Sequence, residues 1–331
     1  MLEIVAEIGI NHDGDIAEAF SLIDLAKKSG AITAKFQLYD VKDLLAGEVP
    51  AAPYQARGLR RVNSITQNEF LQQCQMNDEF VGEIIDYCNT VEINFLCTGY
   101  NRGDFERLAN FGCACVKLPS IAIKEPWTLL QAFSFFEYVI VSTGFSSIAD
   151  LENLKRLMDD YQIDHSRMTI CHCVSQYPAD LADYNLCRLN LLRAMFPNAR
   201  LGLSDHSLSN LPVNMAVGLG ARFIEKHLTN NPEKFGADHH MSLSGSQFAI
   251  MALEANLSYQ ILGQSIRQEP TAAELENFKV MGRSPVFHDS ISSNTVNHDY
   301  DLVSLRRPFN GEDNWLAFYE NRRSQTSGSE G

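Results

Sequence analysis

Arg200-Leu201-Gly202-Leu203-Ser204-Asp205-His206, a helical stretch over Leu211–Leu219, and then Arg222-Phe223-Ile224-Glu225-Lys226-His227 form the segment on which the fold turns. Two short β-rich runs flank one helical pattern, which is a βαβ unit with parallel strands. Working outward, the same alternation recurs. Strands are predicted over Ile4–Ile8, Thr33–Leu38, Asn94–Thr98, Cys113–Leu118, Tyr138–Ser142, Met168–Cys173, Arg200–Leu203 and Arg222–His227. Helices are predicted over Ile16–Ser29, Glu79–Thr90, Phe105–Phe111, Trp127–Phe133, Ser147–Tyr161, Leu186–Phe196, Leu211–Leu219 and Gln247–Leu262, with Ser147 as an N-cap answered by Asp150 three residues on. Residues 39–77 read as a long insertion of mixed character. Eight βα units over roughly 260 residues predict an α/β fold of the closed (β/α)8, or TIM-barrel, kind. An open doubly wound sheet is the alternative, but Gly9-Ile10-Asn11-His12-Asp13-Gly14 after the first strand is not a dinucleotide fingerprint.

In a closed parallel barrel the chemistry sits at the C-terminal ends of the strands. That rule selects Glu7, Asn11, Lys35, Gln37, Thr98, Lys117, Ser120, Ser142, Ser175, Tyr177, Ser204, His206, Glu225 and His227, polar residues where strand interiors are apolar. His206 follows the seventh strand and His227 ends the eighth. Neighbouring strands lie about 4.8 Å apart, so the two imidazoles can share one ion. Two nitrogen donors leave positions open for water and a substrate oxygen, as Lewis-acid catalysis requires, and suit Mn2+ or another divalent metal such as Mg2+ or Co2+. Asp205 and Glu225 flank the pair, placed to orient an imidazole or to meet a substrate hydroxyl. Lys35 and Lys117, with Thr98, Ser120, Ser142, Ser175 and Ser204, combine charge with hydroxyl donors, the set a phosphate ester needs.

The chain has 331 residues and a formal net charge of −14, which disfavours nucleic acid and anionic membranes as partners and makes individual lysines in a pocket informative. A hydrophobic fraction of 45% and a charged fraction of 21% are those of an ordinary globular protein. No apolar run approaches the ~20 residues of a membrane helix. The first residues lack the pattern of a signal peptide, and eight scattered cysteines read as reduced thiols, so a cytoplasmic setting is expected. Cys171-His172-Cys173 resembles a metal fragment, but on a strand His172 points away from both cysteines. His239-His240 is read as a solvated loop, Cys113 and Cys115 as core thiols, and Phe133, Phe135 and Phe136 as core packing. Residues 1–280 are assigned to the barrel, 281–320 to a small β-rich domain, and 321–331 to a disordered polar tail.

Several stretches together resemble the sialic acid synthase family, which includes the legionaminic and pseudaminic acid synthases. They are Ala6-Glu7-Ile8-Gly9-Ile10-Asn11-His12-Asp13-Gly14, Ala34-Lys35-Phe36-Gln37, Ser142-Thr143-Gly144, His172-Cys173-Val174-Ser175-Gln176-Tyr177-Pro178, Gly202-Leu203-Ser204-Asp205-His206 and Glu225-Lys226-His227. Gly236-Ala237-Asp238-His239-His240-Met241-Ser242-Leu243 is similar to the family's PGPDHxxSL stretch. The resemblance spans residues 3–312 in order. It implies a (β/α)8 barrel followed by an antifreeze-like domain, and condensation of phosphoenolpyruvate with an N-acylated amino-sugar aldehyde. It implies Mn2+ on His206 and His227, and phosphoenolpyruvate contacts from Lys35, Thr98, Lys117, Ser120, Ser142, Ser175 and Ser204. Sugar or pyruvyl contacts fall to Gln37, Tyr177, Glu225 and Asp238, and Glu7 becomes a candidate acid/base. Arg307-Pro308-Phe309-Asn310-Gly311 matches the family's RPxNG segment, so Arg307 would reach the partner's site in a domain-swapped homodimer.

This chain also departs from the family. The third strand ends Cys97-Thr98-Gly99-Tyr100-Asn101 where the family usually has S-T-P-F-D, and Ser120-Ile121-Ala122-Ile123 is apolar where an acidic residue is frequent. A more apolar wall points to a different sugar, such as a deoxygenated one, or to lower activity. Set against the family, the small domain is expected to be about half its usual length. Two other functions stay open: a non-catalytic sugar-phosphate-binding homologue, and a Schiff-base pyruvate aldolase using Lys35 or Lys117.

Overall fold

The computed structural model describes residues 1–60, 66–263, 266–287 and 303–306, and the chain divides into two compact units, Met1–Gly263 and Gln264–Gly331. In the first unit eight parallel strands pair in chain order: β1 (Glu3–Gly9), β2 (Thr33–Leu38), β3 (Asn94–Gly99), β4 (Cys115–Leu118), β5 (Tyr138–Ser142), β6 (Met168–Cys173), β7 (Arg200–Asp205) and β8 (Phe223–Thr229). β8 pairs back onto β1, with Glu3 opposite Phe223 and Glu7 opposite His227, so the sheet is closed. A two-residue β9 (Leu243–Ser244) adds to the end of β8 and is not announced by any pattern in the sequence.

Strand alternation sorts the side chains. Ile4, Ala6, Ile8, Val139, Val141, Ile170 and Ile224 face outward into the main core, where they meet buried helix residues such as Leu22, Ile23, Leu151, Leu154 and Val213. The inward set begins apolar. Val5, Leu96, Ile140, Cys171 and Phe223 fill the barrel's interior. Two residues further along the same strands the inward positions turn polar: Glu7, Thr98, Ser142, Cys173 and Glu225 line a cavity. The floor is packed and the polar layer stands on it.

Most element limits match expectation within two residues. β4 begins at Cys115 rather than Cys113 because the Gly112 turn (φ +77°) sends the Cys113 N–H back to Leu108 O, which caps helix Arg102–Asn110. The predicted cap of helix Ile148–Asp160 is present: Ser147 accepts from Asp150 N–H, and the Asp150 carboxylate accepts from Ser147 N–H. The insertion holds three short helices, Val41–Leu44, Pro53–Gly58 and Gln67–Cys74, with a small core of their own around Tyr39, Val41, Phe70 and Leu71.

In the second unit, helix Ala272–Met281, placed with the barrel in the sequence reading, is followed by β10 (Ser284–Phe287), which pairs antiparallel with β11 (Val303–Arg306). Arg307 and the tail 321–331 lie outside the described residues. All eight cysteines are free thiols. Among the described residues no helix is long and apolar enough to cross a membrane.

Candidate active site

A cavity of about 330 Å3 opens at the C-terminal ends of the strands. Glu7, Lys35, Gln37, Thr98, Lys117, Ser120, Ser142, Tyr177, Ser204, His206, Glu225, His227 and Asp238 all line it, so residues far apart along the chain meet on one wall. Ser175 stands just behind. Its Oγ is buried without a hydrogen-bond partner, 2.0 Å from where a Cβ on Gly144 would sit, and Ser120 Oγ is 2.6 Å from the same point. The Gly144 N–H donates to Ser120 Oγ at 3.2 Å. The space a side chain at Gly144 would need is thus taken up by these two hydroxyls, and Ser142 Oγ is likewise buried and unpartnered.

The charges are paired across the barrel. Lys117 Nζ on β4 lies 3.0 and 3.1 Å from the two carboxylate oxygens of Glu225 on β8, and Lys35 Nζ is 3.8 Å from Glu225 Oε2. Ser204 Oγ donates to Glu225 Oε1 at 2.8 Å. Burial raises the Glu225 carboxyl, but Lys117 and Lys35 overcome it and hold the pKa at about 2. Burial depresses Lys117, yet Glu225 keeps it above its ordinary value. Lys35 also pairs with Glu7 at 2.7 Å and donates to Thr98 Oγ1 at 2.9 Å. Glu7 is raised, by burial first and then by Glu225, with Lys35 opposing.

Gly9 makes one close approach possible. It takes φ +57° where the β1–β2 register slips, and a Cβ there would lie 3.0 Å from Gln37 Nε2 and 3.1 Å from Glu7 Oε1. Those two atoms are hydrogen-bonded to each other at 2.8 Å.

His206 and His227 come together as expected, with ring centroids 5.6 Å apart. An ion about 2.1 Å from one nitrogen of each ring would lie roughly 3.2 Å from each centroid, so this spacing fits two ligands subtending an open angle near 120°. His206 Nδ1 faces Val174 O at 2.8 Å, with Cys173 Sγ 3.8 Å away, so Nδ1 carries a proton, and these partners outweigh burial to raise the His206 pKa. Burial, followed by His206 and Lys35, pushes His227 well below its ordinary pKa, so it is a neutral imidazole, and its Nδ1 is buried without a hydrogen-bond partner. Asp238 Oδ2 is 4.0 Å from that nitrogen, and burial together with Glu7 raises the Asp238 carboxyl to about 7. Among the described residues no cluster of three or more His, Cys, Asp or Glu side chains has ligand geometry.

Several expectations need correction. Neither Asp205 nor Glu225 orients an imidazole. Asp205 sits on the outer face of β7, bonded to Lys226 Nζ, Tyr184 Oη and the Ser207 N–H, because strand neighbours point to opposite faces. Glu225 belongs to the lysines. Val174 O does the orienting for His206. His239 is not solvated: it is fully buried in a turn, bonded to Thr229 Oγ1 at 2.7 Å and 3.3 Å from Asp13 Oδ2. Asn11 holds Leu228 O and Ser242 Oγ together and does not line the cavity. Cys113 and Cys115 are half-buried at the core's edge, whereas Phe133 and Phe136 are core. His172 points outward to Tyr184 O at 2.5 Å, opposite to Cys171 and Cys173, as strand alternation requires.

The more apolar wall expected from the departures at Tyr100 and Ile121 is present, and it is extended by residues that no sequence pattern marked. Tyr39, Tyr54, Tyr100, Ile10, Leu45, Leu71 and Ile121 give the outer half of the cavity an aromatic and apolar wall. Tyr177 stacks on Tyr54 (4.5 Å) and lies tilted against His206 (4.2 Å). Tyr100 had a signal, standing two residues beyond Thr98 and hence on its face. Tyr54 had none, because the insertion carries no strand periodicity.

The NeuB family model matches residues 22–267. The chain is 28% identical to N,N'-diacetyllegionaminic acid synthase of Campylobacter jejuni over 93% of this chain and 91% of that one. It is 30% identical to the enzyme of the same name from Legionella pneumophila, over 92% and 85%. Among solved structures, N-acetylneuraminic acid (sialic acid) synthetase from Leptospira borgpetersenii, in complex with citrate, superposes with a TM-score of 0.71 at 27% identity, over 83% of this chain and 90% of that one. The chain belongs to the NeuB family, that of the sialic, legionaminic and pseudaminic acid synthases, and is an enzyme of that kind.

Proposed function

We propose that the protein joins phosphoenolpyruvate to the open-chain aldehyde of an N-acylated amino sugar, giving a nonulosonic acid and inorganic phosphate. One observation carries this reading: a lysine and hydroxyl floor and a pair of converging histidines share one cavity. Lys35 and Lys117 supply charge, and Thr98, Ser120, Ser142, Ser175 and Ser204 supply donors, for the phosphate and carboxylate of phosphoenolpyruvate. The unpartnered hydroxyls of Ser142 and Ser175 support that assignment. Gln37, Tyr177 and Asp238 stand where a sugar would lie, and Arg307 belongs to the same reading as a group supplied across a homodimer. A divalent ion on His206 and His227, Mn2+ or a substitute such as Mg2+ or Co2+, would supply Lewis-acid polarisation of the aldehyde oxygen.

The rest follows from the chain's own groups. The cradle holds C3 of phosphoenolpyruvate against the aldehyde carbon, and a C–C bond forms there. Water adds at C2 and the C2–O bond to phosphate breaks, so phosphate leaves with the bridging oxygen. Glu7, raised by burial and in contact with Lys35, takes the proton of the added water. A Schiff base on Lys117 is disfavoured, because a lysine nucleophile must be neutral and Glu225 keeps Lys117 charged.

Incubation with phosphoenolpyruvate, Mn2+ and a panel of 2-acetamido sugars, read by phosphate release and product mass, tests the reading. Phosphate release tied to one sugar supports it. Tight binding of phosphoenolpyruvate with no turnover on any sugar would favour a non-catalytic binder, and borohydride trapping of pyruvate on lysine would favour the aldolase.

A further inference from the structure

A closed ring of polar contacts joins the first three strands. Tyr100, the residue after β3, donates from Oη to Gln37 Oε1 at 2.8 Å, and Gln37 Nε2 donates to Glu7 Oε1 at 2.8 Å. Lys35 Nζ meets Glu7 Oε2 at 2.7 Å and donates to Thr98 Oγ1 at 2.9 Å, which returns the circle to β3. Burial pushes the Tyr100 phenol well above its ordinary pKa, so the hydroxyl keeps its proton at any working pH.

A glutamine amide has an acceptor end and a donor end of nearly the same shape, and its neighbours decide how it sits. Here Tyr100 engages the carbonyl and Glu7 engages the N–H. Without the phenol hydroxyl, the Gln37 carbonyl would stand on the cavity wall with an open lone pair. It would turn toward water or substrate donors and draw its N–H away from Glu7. Glu7 would then keep only Lys35, and its carboxylate would be free to rotate about that single contact.

The geometry points to Tyr100 as a positioning residue of the condensation: through Gln37 it holds the Glu7 carboxylate in its reacting orientation. This rests on the proposed function of the cavity. Tyr100 acts after the substrates are seated, so its loss acts on turnover more than on binding.

Tyr100→Phe removes the hydroxyl and keeps the ring. Its kcat should fall roughly tenfold, the effect of one hydrogen bond that orients a reacting group, with KM for phosphoenolpyruvate within about twofold of wild type. Because the effect runs through Gln37, the double variant Tyr100→Phe/Gln37→Ala should be no slower than Gln37→Ala alone. A purely structural tyrosine would give additive losses. Wild-type turnover in Tyr100→Phe, a loss confined to KM, or additivity in the double variant would each overturn the proposal and leave the proposed function standing. If the wild-type enzyme itself releases no phosphate with any sugar, the proposed function fails and the role of Tyr100 falls with it.

Discussion

Lys117 Nζ on β4 and the Glu225 carboxylate on β8 meet at 3.0 and 3.1 Å across the barrel's diameter, a two-point contact between strands four places apart. Both side chains are almost wholly buried, so each depends on the other for its charge. Lys117→Met should lower unfolding stability by about 3 kcal/mol, as expected when one partner of a buried pair is removed. It should also abolish measurable phosphoenolpyruvate binding by calorimetry. A variant that binds phosphoenolpyruvate normally would remove Lys117 from the cradle.

The same pair gives an acid limit. The Glu225 pKa is depressed in the fold to about 2 from an ordinary 4.5. Its stabilisation is therefore complete above about pH 4.5 and is lost as pH falls toward 2, amounting to about 3 kcal/mol. Glu225→Gln should flatten that part of the stability profile in urea titrations, while being less stable than wild type at pH 7.

His12 sets a separate window. It is fully buried, packed against Phe36 and Phe80, with Nδ1 accepting the Gly14 N–H at 3.0 Å. Burial lowers its pKa to about 4 from 6.5, with Asp13 opposing. The neutral form is the native one, so stability is full above about pH 6.5 and falls by about 3 kcal/mol as pH drops to 4. In His12→Gln the loss between pH 6.5 and 4.5 should shrink by about that amount, the rest belonging to the other histidines that burial depresses, His172, His227 and His240. An unchanged slope would assign that loss to another group.

A side chain at Gly144 should act on one substrate only. A Cβ there would meet Ser175 Oγ at 2.0 Å and Ser120 Oγ at 2.6 Å, so both hydroxyls must turn away. Gly144→Ala should raise KM for phosphoenolpyruvate by about tenfold or more, the equivalent of one or two lost hydrogen bonds, with KM for the sugar nearly unchanged. Equal effects on both would mean that these hydroxyls are not a phosphate site.

His206→Ala and His227→Ala should each weaken Mn2+ binding by more than the 10–100-fold expected for loss of a supporting residue, and should remove most turnover while phosphoenolpyruvate binding survives. Chelation of the wild type should reproduce the loss. Turnover near wild type in metal-stripped buffer would exclude the metal role.

Much of this was legible in the chain alone. Apolar alternation every two residues, broken at strand ends by Glu7, Lys35, Lys117, Ser204, His206 and His227, is a local pattern, and it specified both the barrel and the side chains at its mouth. The same local rule placed His172 away from Cys171 and Cys173. What lay beyond sequence was partnership. Glu225 looked like an orienter of its neighbour His227, yet it serves Lys117, 108 positions earlier in the chain. His239 read as loop, yet Thr229 and Asp13 bury it. Tyr54 lines the cavity because the insertion folds over the barrel mouth, not because of any repeat it belongs to.

The sequence by itself determined which residues stand at the ends of strands and on which face, since a strand's pleat converts spacing directly into direction. Only tertiary structure decided which of them touch. Closing β8 onto β1 brings opposite walls of the barrel within hydrogen-bond reach, and in that dry interior each charge takes whichever partner the closure offers, however far away it lies along the chain.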